Sequence, residues 1–183
     1  MILALLWMAL GCAGGDKAAE DTSQVDPDPD PDPEACIQPT LDVQVGTGSM
    51  SYTPLNDGDP VTLVHGPQGG WHILGSVWIN HTNPIVRIHF EATTEAEGVL
   101  ISGNNYTVML VSDGECSGFF PGMYGYVSVT EMPGGETATP PELLGGKAVI
   151  LRMTAEDEEG NIGEGQVRVV VELDPADVGG AAP

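Results

Sequence analysis

Apolar residues that recur at every second position, with no window that holds a helical period, restrict this chain to β structure. In residues 85–92, Val86, Ile88, Phe90 and Ala92 fall on one face, and Arg87, His89 and Glu91 on the other. Residues 148–155 repeat the pattern with Val149, Leu151 and Met153 inward, and 166–173 with Val167, Val169, Val171 and Leu173. Residues 71–79 place Trp71, Ile73, Val77 and Ile79 together. Shorter runs at 41–45, 61–65, 106–111 and 124–130 qualify on alternation or on β-branched and aromatic content. Gly, Pro, Asn and Asp clusters separate them, as in Asn56-Asp57-Gly58-Asp59-Pro60. Seven to nine short strands of this kind predict an all-β fold, an antiparallel immunoglobulin-like β-sandwich, over residues 36–174.

The flanks differ from that body. Residues 13–35 hold almost no large apolar side chain and include Asp26-Pro27-Asp28-Pro29-Asp30-Pro31-Asp32-Pro33. Proline fixes φ and removes donors while neighbouring aspartates repel, so residues 12–35 are expected to be a disordered, extended, acidic tether. Before it stands a short apolar run, residues 2–10, closed by Ala9-Leu10-Gly11-Cys12. The run is too short to span a bilayer, which takes about 20 apolar residues. It resembles the lipoprotein signal peptide of bacteria, with Ala9 where that family favours Leu and no basic residue ahead of the run. The resemblance implies a signal over 1–11 and lipidation at Cys12. It places the protein in the cell envelope of a Gram-negative bacterium, on the outer rather than the inner membrane. Residues 175–183 are expected to fray.

Three cysteines then resolve into the lipidated Cys12 and a disulfide between Cys36 and Cys116 in an oxidising compartment. The chain carries 27 acidic and 5 basic residues, a net charge of -22. That balance excludes nucleic acid as a partner, since too few cations exist to replace counterions along phosphates. It also excludes docking on anionic lipid through a basic patch, leaving the lipid itself as the membrane contact.

The segment Ala155-Glu156-Asp157-Glu158-Glu159-Gly160-Asn161 between the last two strands resembles the closing corner of bacterial immunoglobulin-like and cadherin-like domains. The chain is thus similar to bacterial lipoproteins carrying such a sandwich, a resemblance that implies a fold and an address but no activity.

Three constellations could carry chemistry. Gly66-Pro67-Gln68-Gly69-Gly70-Trp71-His72 can form a tight loop that delivers Gln68, Trp71 and His72 to a protein or carbohydrate ligand; the alternative is a structural turn with Trp71 in the core. Asp57 and Asp59, and separately Asp157, Glu159 and Asn161, offer hard oxygen ligands, making calcium the one cofactor considered. Cys116 to Val127 resembles the ligand loop of cupredoxins, with Cys116 as thiolate and Met123 as axial ligand, but no histidine lies between them. His65, His72, His81 and His89 show no HxH or HExxH spacing, and no GxSxG elbow or SxxK occurs. The reading is therefore a non-enzymatic, structural or adhesive envelope protein without a resident cofactor. Its alternative is a periplasmic protein that binds calcium or copper or acts in redox chemistry.

Overall fold

A computed structural model describes residues 39–175, and within them the backbone is almost entirely β-strand. In chain order the elements are β1 (Asp42–Thr47), β2 (Thr53–Pro54), β3 (Pro60–His65), β4 (Trp71–Asn80), β5 (Ile85–Thr94), β6 (Leu100–Met109), β7 (Val111–Ser112) and β8 (Ser117–Val127). A short helix α1 (Pro140–Leu144), β9 (Ala148–Asp157) and β10 (Ile162–Leu173) follow. The signal, Cys12, the tether, Cys36 and the tail at 176–183 lie outside the described residues.

The strands form one curled sheet with the order β2-β1-β4-β3-β10-β9-β5-β6, and β8 pairs with β4 and β7. Two layers result, β1–β4–β8–β7 and β10–β9–β5–β6. Strand β3 joins them along one side, antiparallel to β4 (Leu63 opposite Ile73) and parallel to β10 (Val61 opposite Val171). On the other side β6 approaches β8, where the Ser128 N–H donates to the Ile101 carbonyl at 2.8 Å. The expected all-β, antiparallel class holds, with one parallel pairing between named strands, β3 with β10, because β3 is bonded on both sides and serves both layers.

The core follows the alternation. Val86, Ile88, Phe90 and Ala92 of β5 face Val149, Leu151, Met153 and Ala155 of β9 across paired backbones, all essentially buried. Ile73, Val77 and Ile79 of β4 and Met123 of β8 close the opposite layer, with a register shift between Gly75 and Val77. Three strands begin earlier than their sequence suggests. Strand β6 starts at Leu100, β8 at Ser117 and β10 at Ile162, in stretches whose Gly, Asn and Pro read as turns. Helix α1 is a single turn capped by Thr139, whose N–H donates to Glu142 Oε2 at 2.7 Å, and those hydrogen bonds hold the Glu142 carboxyl below its ordinary range.

Cysteine chemistry needs a correction. Cys116, just ahead of β8, is disulfide-bonded and is the one cysteine among the described residues, so no disulfide joins two described residues. The expected Cys36–Cys116 bridge reduces to that narrower statement, because Cys36 lies outside the described residues.

The β9–β10 hairpin is held by Asp157, 1 % exposed. Its carboxylate accepts the Asn161 N–H at 2.8 Å and Asn161 Nδ2 at 2.9 Å, while Gly160 takes a positive φ of 84° in the turn. Removing the carboxylate leaves both donors without their acceptor in a partly buried turn. Asp157→Ala is expected to lower stability by about 1–3 kcal/mol, and Asp157→Asn by less, measured by urea unfolding.

Candidate functional site

The outward face of the β4–β8 pair carries the aromatic residues that could meet a ligand. In register, His72 stands opposite Tyr126 and Leu74 opposite Tyr124. Because successive residues alternate faces, Tyr124, Tyr126 and His72 share the outer surface, while Gly125 turns inward onto the Phe90 ring. His72 meets Tyr124 edge-on at 4.8 Å between centroids, and Tyr126 at 6.5 Å. The two tyrosine rings are nearly parallel, 19° apart with centroids at 6.0 Å. Tyr124 is 45 % exposed and Tyr126 60 %.

The Gly66–Gly70 loop closes one end of this face. Gly66 N–H donates to the Gly70 carbonyl at 2.7 Å and Gly69 N–H to the Gly66 carbonyl at 3.0 Å, with Gly69 at a positive φ of 88° that glycine tolerates best. A shallow cleft of about 410 Å³ results, lined by Gly66, Pro67, Gln68, Gly70, His72, Tyr124 and Tyr126. No lining residue carries a carboxylate, in a chain of net charge -22.

The backbone beneath the tyrosines is fixed from the other side. Tyr106 Oη donates to the Tyr124 carbonyl at 2.6 Å, and the Tyr126 N–H donates to Asn104 Oδ1 at 3.2 Å. Ser102 Oγ donates to the same Asn104 oxygen at 3.0 Å and so orients it. Burial pushes the Tyr106 phenol up.

Of the three loop residues singled out from sequence, Gln68 and His72 reach the cleft. Trp71 does not. As His72's neighbour on a strand it points the other way, packs against the core, and stacks on His65 at 4.5 Å and 17°. Tyr124 and Tyr126, which the sequence reading did not single out, also line the cleft. The signal was present as Tyr-Gly-Tyr, two aromatics on one face with a glycine between, but their pairing with His72 depends on register.

Burial pulls the His72 imidazole below its ordinary value of 6.5. Folding thus favours the neutral ring, so its contribution to stability is complete above that value. It is lost as pH falls from 6.5 through the lowered folded value. NMR titration of His72 is expected to give a midpoint below 6.5, and His72→Asn to reduce the acid sensitivity of unfolding in that window.

The calcium candidates separate into two places, each already occupied by protein donors. Asp57 Oδ1 accepts the Arg168 N–H at 2.9 Å, and Asp59 Oδ2 accepts the Asn56 N–H at 2.7 Å. Beside Asp57, the Arg168 guanidinium donates to Glu95 at 2.7 Å and lowers the Glu95 carboxyl. Asp157 and Asn161 bind one another in the distant hairpin, and Glu159 accepts from Asn83 Nδ2 at 2.6 Å. Among the described residues no three His, Cys, Asp or Glu side chains gather as a metal-binding group. Met123 is fully buried on the inner face of β8 and Cys116 is disulfide-bonded, so the cupredoxin-like pairing is not assembled. His65, His81 and His89 are dispersed, with His81 beside Asn80 and His89 beside Asn105 and Glu91.

No protein-family model matches the chain, and no curated protein matches it. Among solved structures it is similar to the CooA pilin subunit from enterotoxigenic Escherichia coli, at 13 % identity and a TM-score of 0.36, covering 72 % of this chain and 99 % of that one. It is also similar to the N-terminal domain of PorA, at 13 % identity and a TM-score of 0.25, covering 70 % of this chain and 97 % of that one.

Proposed function

We propose that this chain is a lipid-anchored protein of the Gram-negative cell envelope whose immunoglobulin-like β-sandwich acts as a structural or adhesive binding module rather than an enzyme. Two features support the fold reading. The β10–β9–β5–β6 and β1–β4–β8–β7 layers have the strand order of such sandwiches, and β3 switches between them parallel to the last strand. The asparagine-closed corner at Asp157 and Asn161 supports the same reading.

The observation that carries the function is the cleft at Tyr124 and Tyr126. Exposed aromatic rings on a rigid strand pair, rimmed by a glycine-rich loop, suit recognition; the lining has no nucleophile–base pair and no carboxylate pair that would suit hydrolysis. The apolar run before Cys12 and the Asp-Pro tether support presentation of this face away from a membrane.

Fractionation of expressing Gram-negative cells tests the address. The chain is expected in the membrane pellet, with mass spectrometry showing loss of residues 1–11 and an added diacylglyceryl group on Cys12. Cys12→Ser should move it to the soluble fraction. A chain that stays unprocessed and soluble without the substitution would overturn the lipid anchor.

A further inference from the structure

Building on the adhesive reading, we propose that the cleft binds neutral sugar rings, whose C–H faces pack on Tyr124 and Tyr126 while Gln68 and His72 hydrogen-bond to their hydroxyls. The charge of the lining points to this class first. In a chain with 27 acidic and 5 basic residues, the seven residues of the cleft include no carboxylate, no lysine and no arginine. An anionic ligand would find no counter-charge there, and a metal ion would find no carboxylate. A ligand held by neutral hydrogen bonds and apolar contact fits both absences.

The ring geometry suits the same class. The two tyrosines lie 19° from parallel with centroids 6.0 Å apart, and both are exposed, so the pair leaves apolar ring surface open to a ligand. Tyr126, the more exposed, leaves most of its ring to solvent. A pyranose has an apolar C–H face and a polar periphery. An aromatic face removes the first from water, while amide and imidazole groups satisfy the second. Gln68 brings an acceptor and a donor on the exposed loop. Burial disfavours the charged form of His72, and the neutral ring likewise offers one donor and one acceptor.

A peptide added as an extra strand is the competing occupant, and the β6 side chains stand against it. At this point the outer edge of β8 would offer the Tyr124 carbonyl and the Tyr126 N–H to an incoming strand. Both are already taken, by Tyr106 Oη and by Asn104 Oδ1. Main-chain pairing, the source of affinity in strand addition, is therefore blocked beneath the rings. What remains available is their faces.

The test uses saturation-transfer NMR on the full chain with cellotetraose, maltotetraose and chitotetraose, and a Pro-Asp octapeptide as the peptide arm. At least one of the sugars is expected to receive saturation from the tyrosine rings. Its affinity should fall at least about tenfold in Tyr124→Ala/Tyr126→Ala, the loss expected for two stacking contacts. Tyr126→Phe, which keeps the ring, should retain binding. Should the double variant unfold, Gln68→Ala on the exposed loop is expected to weaken binding about three- to tenfold, the range for one hydrogen bond. The proposal is overturned if none of the three sugars binds, if binding survives loss of both rings, if Gln68→Ala leaves the affinity unchanged, or if the octapeptide displaces the sugar. A chain that is membrane-anchored through Cys12 and adhesive through its tyrosines, yet binds none of these sugars, would refute the sugar alone and leave the adhesive reading standing.

Discussion

Phe90→Ala is expected to lower the stability of the domain by about 3–5 kcal/mol, the range for emptying a buried phenylalanine site. Phe90 is fully buried on β5, and its ring fills space left by two glycines in the opposite layer. A Cβ on Gly75 of β4 would come within 2.8 Å of the ring, and one on Gly125 of β8 within 2.9 Å. The three residues act as one packing unit, so the glycines should be intolerant for the complementary reason. Gly125→Ala alone is expected to cost about 1–3 kcal/mol by overpacking. In the Phe90→Ala background that cost should shrink, because the added methyl enters the vacated volume. Urea unfolding of the four proteins in the cycle measures the coupling. Additivity within about 0.5 kcal/mol would show that ring and glycine do not share the space. The unit also matters to the cleft, since Gly125 sits between Tyr124 and Tyr126. A shift of β8 there moves both rings together.

The second large effect is expected at the start of β10. Gly163 and Gly165 face inward, in phase with Val167, Val169 and Val171, but a Cβ at either position would run into the backbone of β1, at the carbonyls of Leu41 and Val43. Backbone cannot rotate aside as a side chain can. Gly165→Val is therefore expected to cost at least about 3 kcal/mol, the upper end of overpacking, with Gly163→Ala/Gly165→Ala similar in size. Gly160→Ala should cost less, by strain alone, because its positive φ of 84° opens into space where nothing meets a Cβ. Thermal unfolding that leaves Gly165→Val as stable as the parent would mean that β1 does not lie against β10.

These two sites show what was legible in the sequence. Alternation in β5, β9 and the second half of β10 identified the inward faces correctly, because each buried residue there carries a side chain that announces itself. Gly163 and Gly165 are inward too, yet glycine also punctuates turns, so the sequence pattern starts β10 only at Gln166. Gly118, Pro121 and Gly122 hide the start of β8 in the same way, and Gly103 and Asn104 that of β6. Closeness of one backbone to another is a tertiary fact, and glycine's reason for being there lies in the partner strand.

The site was legible in part. The glycines of the Gly66–Gly70 loop predict a tight turn, and that turn forms, with Gln68 and His72 lining the cleft beside it. For Trp71 the alternative holds: strand alternation puts it on the face of Ile73, against the core, where it stacks on His65. Tyr124 and Tyr126 could be placed on one face of a strand, but the sequence could not say that His72 would stand opposite. Register between strands separated by some fifty residues is decided by core packing. The acidic turns at Asp57, Asp59 and Asp157 drew attention as metal ligands; their carboxylates close turns and bind backbone N–H groups, a use that sequence pattern does not distinguish from coordination.

We propose that this domain meets its ligand at the tyrosine cleft, and retention of cells tests that most directly. Gram-negative cells displaying the full chain can be counted on surfaces coated with cellotetraose, maltotetraose or chitotetraose beside cells displaying Tyr124→Ala/Tyr126→Ala at equal surface density. The parent chain is expected to retain cells on at least one of the sugars, the double substitution to return retention to the level of cells without the chain, and the variant's melting temperature to stay close to the parent's. Equal retention by parent and variant would contradict it.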